Sequence, residues 1–413
     1  MKLSRDLSLR NPAVGVLAAA VVLGALVPSR TAPQAAELVP LPPRLVETPL
    51  AQALTTYRAL SESGGWSSIQ SGSSLRLGDA GEGVAALRLR LAREGYLPPS
   101  TSEGRAAFFD PALEAAVHEF QRRHGLEEDG VVGPKTLASL NVPAATRAAQ
   151  IELNLARLRA LPAGLGDPYV AINIAAQNLQ VVEGGATTLV SRVIVGKPST
   201  PTPVLSSKFA SVIFNPPWNV PASIAVNEIL PKLRQDQAYL LKENMIIVGR
   251  ASDPHGLAID WSSIPPVQFA TRLRQLPGED NALGRIKFDF PSPYTVYLHD
   301  TPAKGLFERA RRTFSHGCMR IERPGDLAAF LLRDQGWGRA EIERAIAEGQ
   351  TREIALQRPV PLWVLYLTAF MEAGGAVQFR DDVYRFDARG RIFEELGTER
   401  VETASGSAPG CRG

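Results

Sequence analysis

The sequence predicts a multidomain α+β protein, with a small three-helix domain followed by a β-rich domain that carries an inserted helical lid. Three observations predict it. At ~150 residues per domain, 413 residues leave room for two or three domains. Apolar residues repeat at helical spacing as far as Leu158, and from Tyr169 the period changes to two. Between Trp218 and Leu283, roughly 65 residues separate two strand-like stretches, too many for a simple connection. Charged residues at 21% and hydrophobic ones at 45% exclude both a disordered polyelectrolyte and a polytopic membrane protein.

The first segment, 1–36, reads as a signal peptide of an exported protein. Lys2, Arg5 and Arg10 precede fifteen uncharged residues, Ala13 to Val27, and small residues follow to Ala36. Fifteen is short of the ~20 needed to span a bilayer, which favours cleavage over a permanent anchor. Removing this segment removes four cations and one acid and turns a net charge of +3 into formal neutrality. A neutral mature chain lacks the dense basic stripe that nucleic acid requires, so no nucleic-acid partner is expected. Of the two cysteines, Cys318 lies in a dense motif and Cys411 in a Gly/Ser-rich tail. A disulfide between them would tie down only a tail, so a thiol kept for chemistry is the stronger reading.

Residues 37–74 read as a Pro-rich spacer and a scaffold helix, in which Leu50, Ala53, Leu54, Tyr57 and Leu60 share one face. From Leu75 a self-contained unit begins. Val84, Leu87 and Leu91 mark one helix, and Asp110-Pro111 opens a second through Leu113, Ala116, Val117 and Phe120. Gly133-Pro134 opens a third. His118, Glu119 and His124 invite a metal reading, but residues six apart on a helix point to different faces, so no metal is expected. The runs Leu-Arg-Leu-Gly from Leu75, Ala-Val-x-x-Phe-Gln from Ala116 and Gly-Leu-x-x-Asp-Gly-x-x-Gly-Pro-x-Thr from Gly125 resemble the three-helix peptidoglycan-binding domain, here 75–141. Arg88 stands where that family commonly has glutamine.

Residues 142–168 read as a connecting helix that packs on the scaffold helix. The β-rich domain spans 169–386, with strands expected at 170–174, 179–181, 189–195, 211–215, 286–290, 294–299, 363–370 and 376–379. The lid occupies about 218–283, where Trp218, Tyr239 and Trp261 offer flat surfaces for closing over a substrate. A flexible tail, 387–413, follows.

The chemistry concentrates in two stretches. Thr295, Tyr297 and His299 fall on one face of an expected strand, and Ser315-His316-Gly317-Cys318-Met319-Arg320 follows. A thiol attacks a carbonyl well only as thiolate, with a reference pKa of ~8.5 that an adjacent imidazole can lower. His316 and His299 are both candidates. Gly317 lets the backbone approach a substrate, and the Cys318 N–H could enter an oxyanion hole. A buried, satisfied Cys and His, or a zinc site of Cys318, His316 and His299, remain open on these grounds alone.

The histidine of His299-Asp300-Thr301-Pro302, nineteen residues before the cysteine of Ser-His-Gly-Cys, resembles the signature of the YkuD-type L,D-transpeptidases. Phe214-Asn215-Pro216-Pro217-Trp218-Asn219-Val220-Pro221 and Phe379-Arg380-Asp381-Asp382-Val383-Tyr384 resemble segments of its long Gram-negative subclass, as does Arg320 where the wider family has Asn. The resemblance implies Cys318 as nucleophile and His299 as general base and acid. It implies an oxyanion hole of Gly317 and Cys318 N–H groups with His316, and substrate contacts from Trp218, Tyr297, Ser315 and Arg320. The partner implied is peptidoglycan, tetrapeptide donor and diaminopimelate acceptor, joined in a periplasmic 3→3 cross-link open to carbapenems, without cofactor or metal. A carboxypeptidase or endopeptidase, an enzyme using an outer-membrane lipoprotein as acceptor, and a non-catalytic wall-binding protein are the alternatives. Oligomeric state is not legible.

Overall fold

Two long helices clamp the outside of a sheet. The computed structural model describes residues 43–70, 72–98, 107–266, 269, 272–371 and 375–393; the expected signal peptide and Cys411 lie outside them. Helices α1 (Pro43–Glu62) and α5 (Ala144–Arg159) pack through Leu50, Leu54 and Tyr57 against Ala148, Ile151 and Leu155. Each fully buried Leu or Ile contributes ~1.5–3 kcal/mol. No helix among the described residues is long and apolar enough to cross a membrane.

Helices α2 (Glu82–Arg93), α3 (Pro111–Arg123) and α4 (Pro134–Leu140) close around Leu87, Leu91, Leu113, Val117 and Phe120. Asp110 caps α3 by accepting from the Leu113 N–H at 2.8 Å. Arg88 pairs with the same Asp110 at 2.9 Å and donates to the Phe108 carbonyl, so it ties α2 to the start of α3. His124 is core: it stacks on Phe120 and Phe379 with centroids 3.8 and 5.4 Å away, and burial holds its pKa well below the usual range.

The β-rich domain comprises β1 (Tyr169–Asn173), β2 (Asn178–Glu183), β3 (Ala186–Gly196), β4 (Leu205–Lys208), β5 (Ser211–Phe214), β6 (Trp218–Asn219), β7 (Met245–Ile247) and β8 (Leu273–Gln275). It continues with β9 (Ile286–Asp289), β10 (Leu298–His299), β11 (Thr313–Ser315), β12 (Met319–Ile321), β13 (Arg352–Ala355), β14 (Pro361–Leu365), β15 (Ala369–Met371) and β16 (Val377–Phe379). Eleven strands form one sheet in the order β13-β5-β9-β10-β12-β3-β2-β1-β14-β4, with β11 beside β3. Strand β1 shows why alternation misleads here. Val170 and Ile172 enter a core shared with helices α9 (Pro324–Leu332) and α10 (Arg339–Ala347), while Tyr169 and Ala171 are buried under α1 and α5. The sheet is covered on both faces.

Three expectations are corrected. The strand expected over 294–299 shrinks to Leu298–His299, because the chain bends at 293–295 and the Val296 N–H donates to the Tyr294 carbonyl instead of to a neighbouring strand. The insertion is not purely helical: β6, β8 and β7 form a three-stranded sheet beside helices α6 (Ala222–Ile224), α7 (Leu230–Gln235) and α8 (Tyr239–Lys242). The tail does not begin at 387. Asp387 pairs with Arg157 at 2.7 Å, Arg157 donates to the Arg391 carbonyl, and Phe393 meets Phe386, so 387–393 belong to the fold.

Candidate active site

Strand pairing delivers His299 to Cys318. In the register β10 lies parallel to β12 with His299 opposite Arg320, and the Met319 N–H donates to the Tyr297 carbonyl at 3.0 Å. Cys318 immediately precedes β12 and is 5% exposed, in no disulfide among the described residues.

The loop from Ser315 to Cys318 is held from within and below. Gly317 has φ 114°, a conformation that L side chains rarely adopt. Its N–H donates to the Ser315 hydroxyl, which donates to the Cys318 carbonyl. Its carbonyl accepts from the Thr202 hydroxyl at 2.8 Å, and that hydroxyl accepts from the Gly196 N–H at 2.9 Å. Tyr384 donates to the Gly196 carbonyl and accepts from the Thr202 N–H. At Gly196 a Cβ would sit 2.1 Å from the Thr200 carbonyl oxygen, so only glycine allows this approach. In this loop the Gly317 N–H is engaged by Ser315, and the buried Ser315 hydroxyl holds the Cys318 carbonyl.

His299 is fully enclosed. Its Nδ1–H donates to the Asp300 carbonyl, which leaves Nε2 as the acceptor. Burial, with Arg320 nearby, pushes its pKa down to about 3 against the opposing pull of the Asp300 and Leu283 carbonyls. The imidazole therefore rests neutral and can accept a proton as one is released beside it. Asp300 is itself fixed, by the Arg285 N–H at 2.9 Å and by Lys304.

The cleft brings together seven of the eight singled-out residues: Trp218, Tyr297, His299, Ser315, His316, Cys318 and Arg320. Gly317 contributes backbone alone. Tyr297 lies 5.8 Å from the His299 ring, while Thr295 is exposed and outside the cleft. The cleft measures about 50 Å³, room for a few waters and for no peptide. Its roof comes from the insertion, through Trp218, Pro221 and Ile224. Trp261 is not part of that roof. It is 1% exposed in a separate core with Phe269, Leu230 and Leu233.

Sequence reading missed Glu228. It sits on a single π-helical turn, Ala225–Ile229, and its carboxylate meets His316 Nε2 at 2.7 Å, linking insertion to loop. No local pattern announces a pair so distant in sequence. Among the described residues no cluster of three His, Cys, Asp or Glu is arranged to hold a metal.

Comparison with known proteins follows the same division. Residues 167–342 match the family described as YkuD, the L,D-transpeptidase catalytic domain, and residues 80–140 match the "Putative peptidoglycan binding domain" family. A Haemophilus influenzae protein named "Putative L,D-transpeptidase" is 38% identical over 248 residues, covering 59% of this chain; the chain spans about half of that relative, 49%. Among solved structures, an L,D-transpeptidase from Xylanimonas cellulosilytica is 17% identical, covering 71% of this chain and 98% of that one, with a TM-score of 0.22. One from Stackebrandtia nassauensis is 14% identical, covering 70% and 94%, with a TM-score of 0.26. The assignment rests on the sequence matches.

Proposed function

We propose that this chain, whose residues 167–342 match the YkuD L,D-transpeptidase catalytic domain and whose residues 80–140 match a peptidoglycan-binding domain, forms 3→3 cross-links between peptidoglycan stem peptides. The observation that carries the reading is a buried thiol that shares a cleft with a neutral imidazole of fixed tautomer, beneath side chains of the insertion.

In the first half-reaction, Cys318 attacks the carbonyl at the L-centre of the donor's diaminopimelate. His299 Nε2 takes the thiol proton and passes it to the departing D-Ala amine, leaving a thioester on Cys318. In the second, the side-chain amine of an acceptor diaminopimelate attacks the thioester. His299 takes the amine proton and returns it to the leaving thiolate. With the Gly317 N–H engaged by Ser315 and His316 Nε2 paired with Glu228, the oxyanion falls to the Cys318 N–H. Arg320 faces the donor carboxylate by charge, and Trp218 and Tyr297 supply apolar walls. The apolar leader favours a periplasmic enzyme, where this polymer lies.

A thioester meets water at ~55 M, so transfer wins only where the acceptor is held and water is excluded. Trp218, Pro221 and Ile224 of the insertion cover part of the cleft, which supports transfer over hydrolysis. Purified tetrapeptide muropeptides, incubated with the enzyme and read by mass, should yield dimers that have lost one D-Ala. Free tripeptides alone would assign a hydrolase. Product only on addition of a lysine-ending lipoprotein peptide would assign an anchoring enzyme.

A further inference from the structure

A groove of about 580 Å³ lies where the small domain meets the β-rich domain, and it shares no lining residue with the cleft over Cys318. That size is ordinary for a ligand site, typically ~300–1,000 Å³. One wall is built by α4 and α5, the other by Arg380–Asp382 with Asp387.

The walls are fixed to each other. Arg380 donates to the Arg123 carbonyl at 2.9 Å, and Gln150 Nε2 donates to the Thr368 and Arg380 carbonyls at 3.1 and 3.0 Å. The groove is therefore preformed, which spares a ligand the cost of ordering it. Most polar groups in it are already satisfied. Arg147 donates to Gln150 Oε1 and to the Ser139 carbonyl; Asp382 accepts from Tyr366 and two backbone N–H groups; Asp387 holds Arg157 and Thr368.

Two charges remain, one on each wall. Lys135 and Asp381 are exposed, and neither has a side-chain partner among the described residues. Ala138, Val142, Ala149 and Leu153 add apolar lining, and no aromatic ring lines the groove. A sugar ring docks by its C–H faces on flat aromatic side chains, and none is offered. An extended peptide that carries a carboxylate, an ammonium and methyl side chains complements both charges and the apolar lining.

We infer that this junction groove binds the stem peptide of peptidoglycan, with a carboxylate on Lys135, an ammonium on Asp381 and alanine methyls on Ala138 and Ala149. The inference rests on the proposed cell-wall substrate and adds which part of the polymer is gripped, and where. Exposed ion pairs contribute only ~0–1 kcal/mol each. A weak grip suits a tether, which works by raising effective concentration along the wall.

The test uses the full chain with Cys318 alkylated by iodoacetamide, which fills the small catalytic cleft, titrated with free tetrapeptide and separately with the peptide-free disaccharide. Tetrapeptide should bind, the disaccharide should not, Lys135→Glu and Asp381→Lys should each weaken binding a few-fold, and the groove-filling Ala149→Trp should weaken it about tenfold or more. Unchanged binding in all three variants, or a disaccharide that binds as tightly as the peptide, would overturn the inference. Carbapenem acylation of the unalkylated variants should stay at the wild-type rate. Groove-dependent binding in a protein that makes no cross-linked product would fault the catalytic reading and leave this one standing.

Discussion

The loop that carries Cys318 and the insertion that roofs it face each other across one cleft, yet they are secured by different physics. The loop hangs on buried hydrogen bonds from Thr202, Tyr384 and Ser315, each net ~0.5–1.5 kcal/mol, and leaving one partner unpaired costs ~1–3 kcal/mol. The insertion keeps a core of its own around Trp261 and touches the loop through Glu228 and His316, 46% and 31% exposed at the side chain. Such an exposed pair contributes ~0–1 kcal/mol. The difference teaches that the nucleophile is immobilised and its cover is not. The cleft over Cys318 measures about 50 Å³, and the exposed seam is the place where the insertion would yield to a larger substrate.

The strongest way to break this comparison is at the fixed side. His299→Ala should slow carbapenem acylation of Cys318 by ~10²–10⁴-fold, the usual worth of a general base, as read by intact-protein mass against time. An undiminished rate would leave the imidazole without a role.

Thr202→Val comes next. It removes the hydroxyl that joins Gly196 to Gly317 and leaves both backbone groups short of a partner. Unfolding free energy should fall by ~1–3 kcal/mol, and acylation should slow with it. Full acylation in a destabilised variant would show that the loop does not depend on this brace.

Acid stability sharpens the same point. The folded pKa of His299, about 3, lies below the ordinary value of 6.5. Its contribution to stability is therefore complete above pH 6.5 and is lost as pH falls from 6.5 towards 3. Urea midpoints for the wild type should drop between pH 7 and pH 4 more steeply than those for His299→Gln. Parallel curves would assign the acid sensitivity to other groups.

The smallest effect belongs to the seam. Glu228→Ala should raise the alkylation rate of Cys318 by a few-fold, in proportion to the ~0–1 kcal/mol of an exposed pair, with little change in melting temperature. An unchanged rate would mean that the insertion is held elsewhere.

These regions also differ in how far the sequence disclosed them. The Ser-His-Gly-Cys run and His299 were legible because a two-part motif states its own chemistry, and α1 and α5 were legible as partners from matching apolar faces. The burial of both sheet faces was not, since alternating Val170 and Ile172 describe one face and are silent on what covers Tyr169 and Ala171. Trp261 was misplaced because an aromatic in an insertion reads alike as core or as contact surface. Glu228, Thr202 and the groove between Lys135 and Asp381 arise from residues far apart in the chain, and periodicity carries no information about such meetings.

The most direct measurement is intact-protein mass after mixing the enzyme with a tetrapeptide donor and no acceptor, followed by addition of acceptor. The account predicts a single adduct of the tripeptide on Cys318, formed with release of D-Ala and discharged into cross-linked dimer when acceptor arrives. Cross-linked dimer made at an undiminished rate by Cys318→Ala would contradict it.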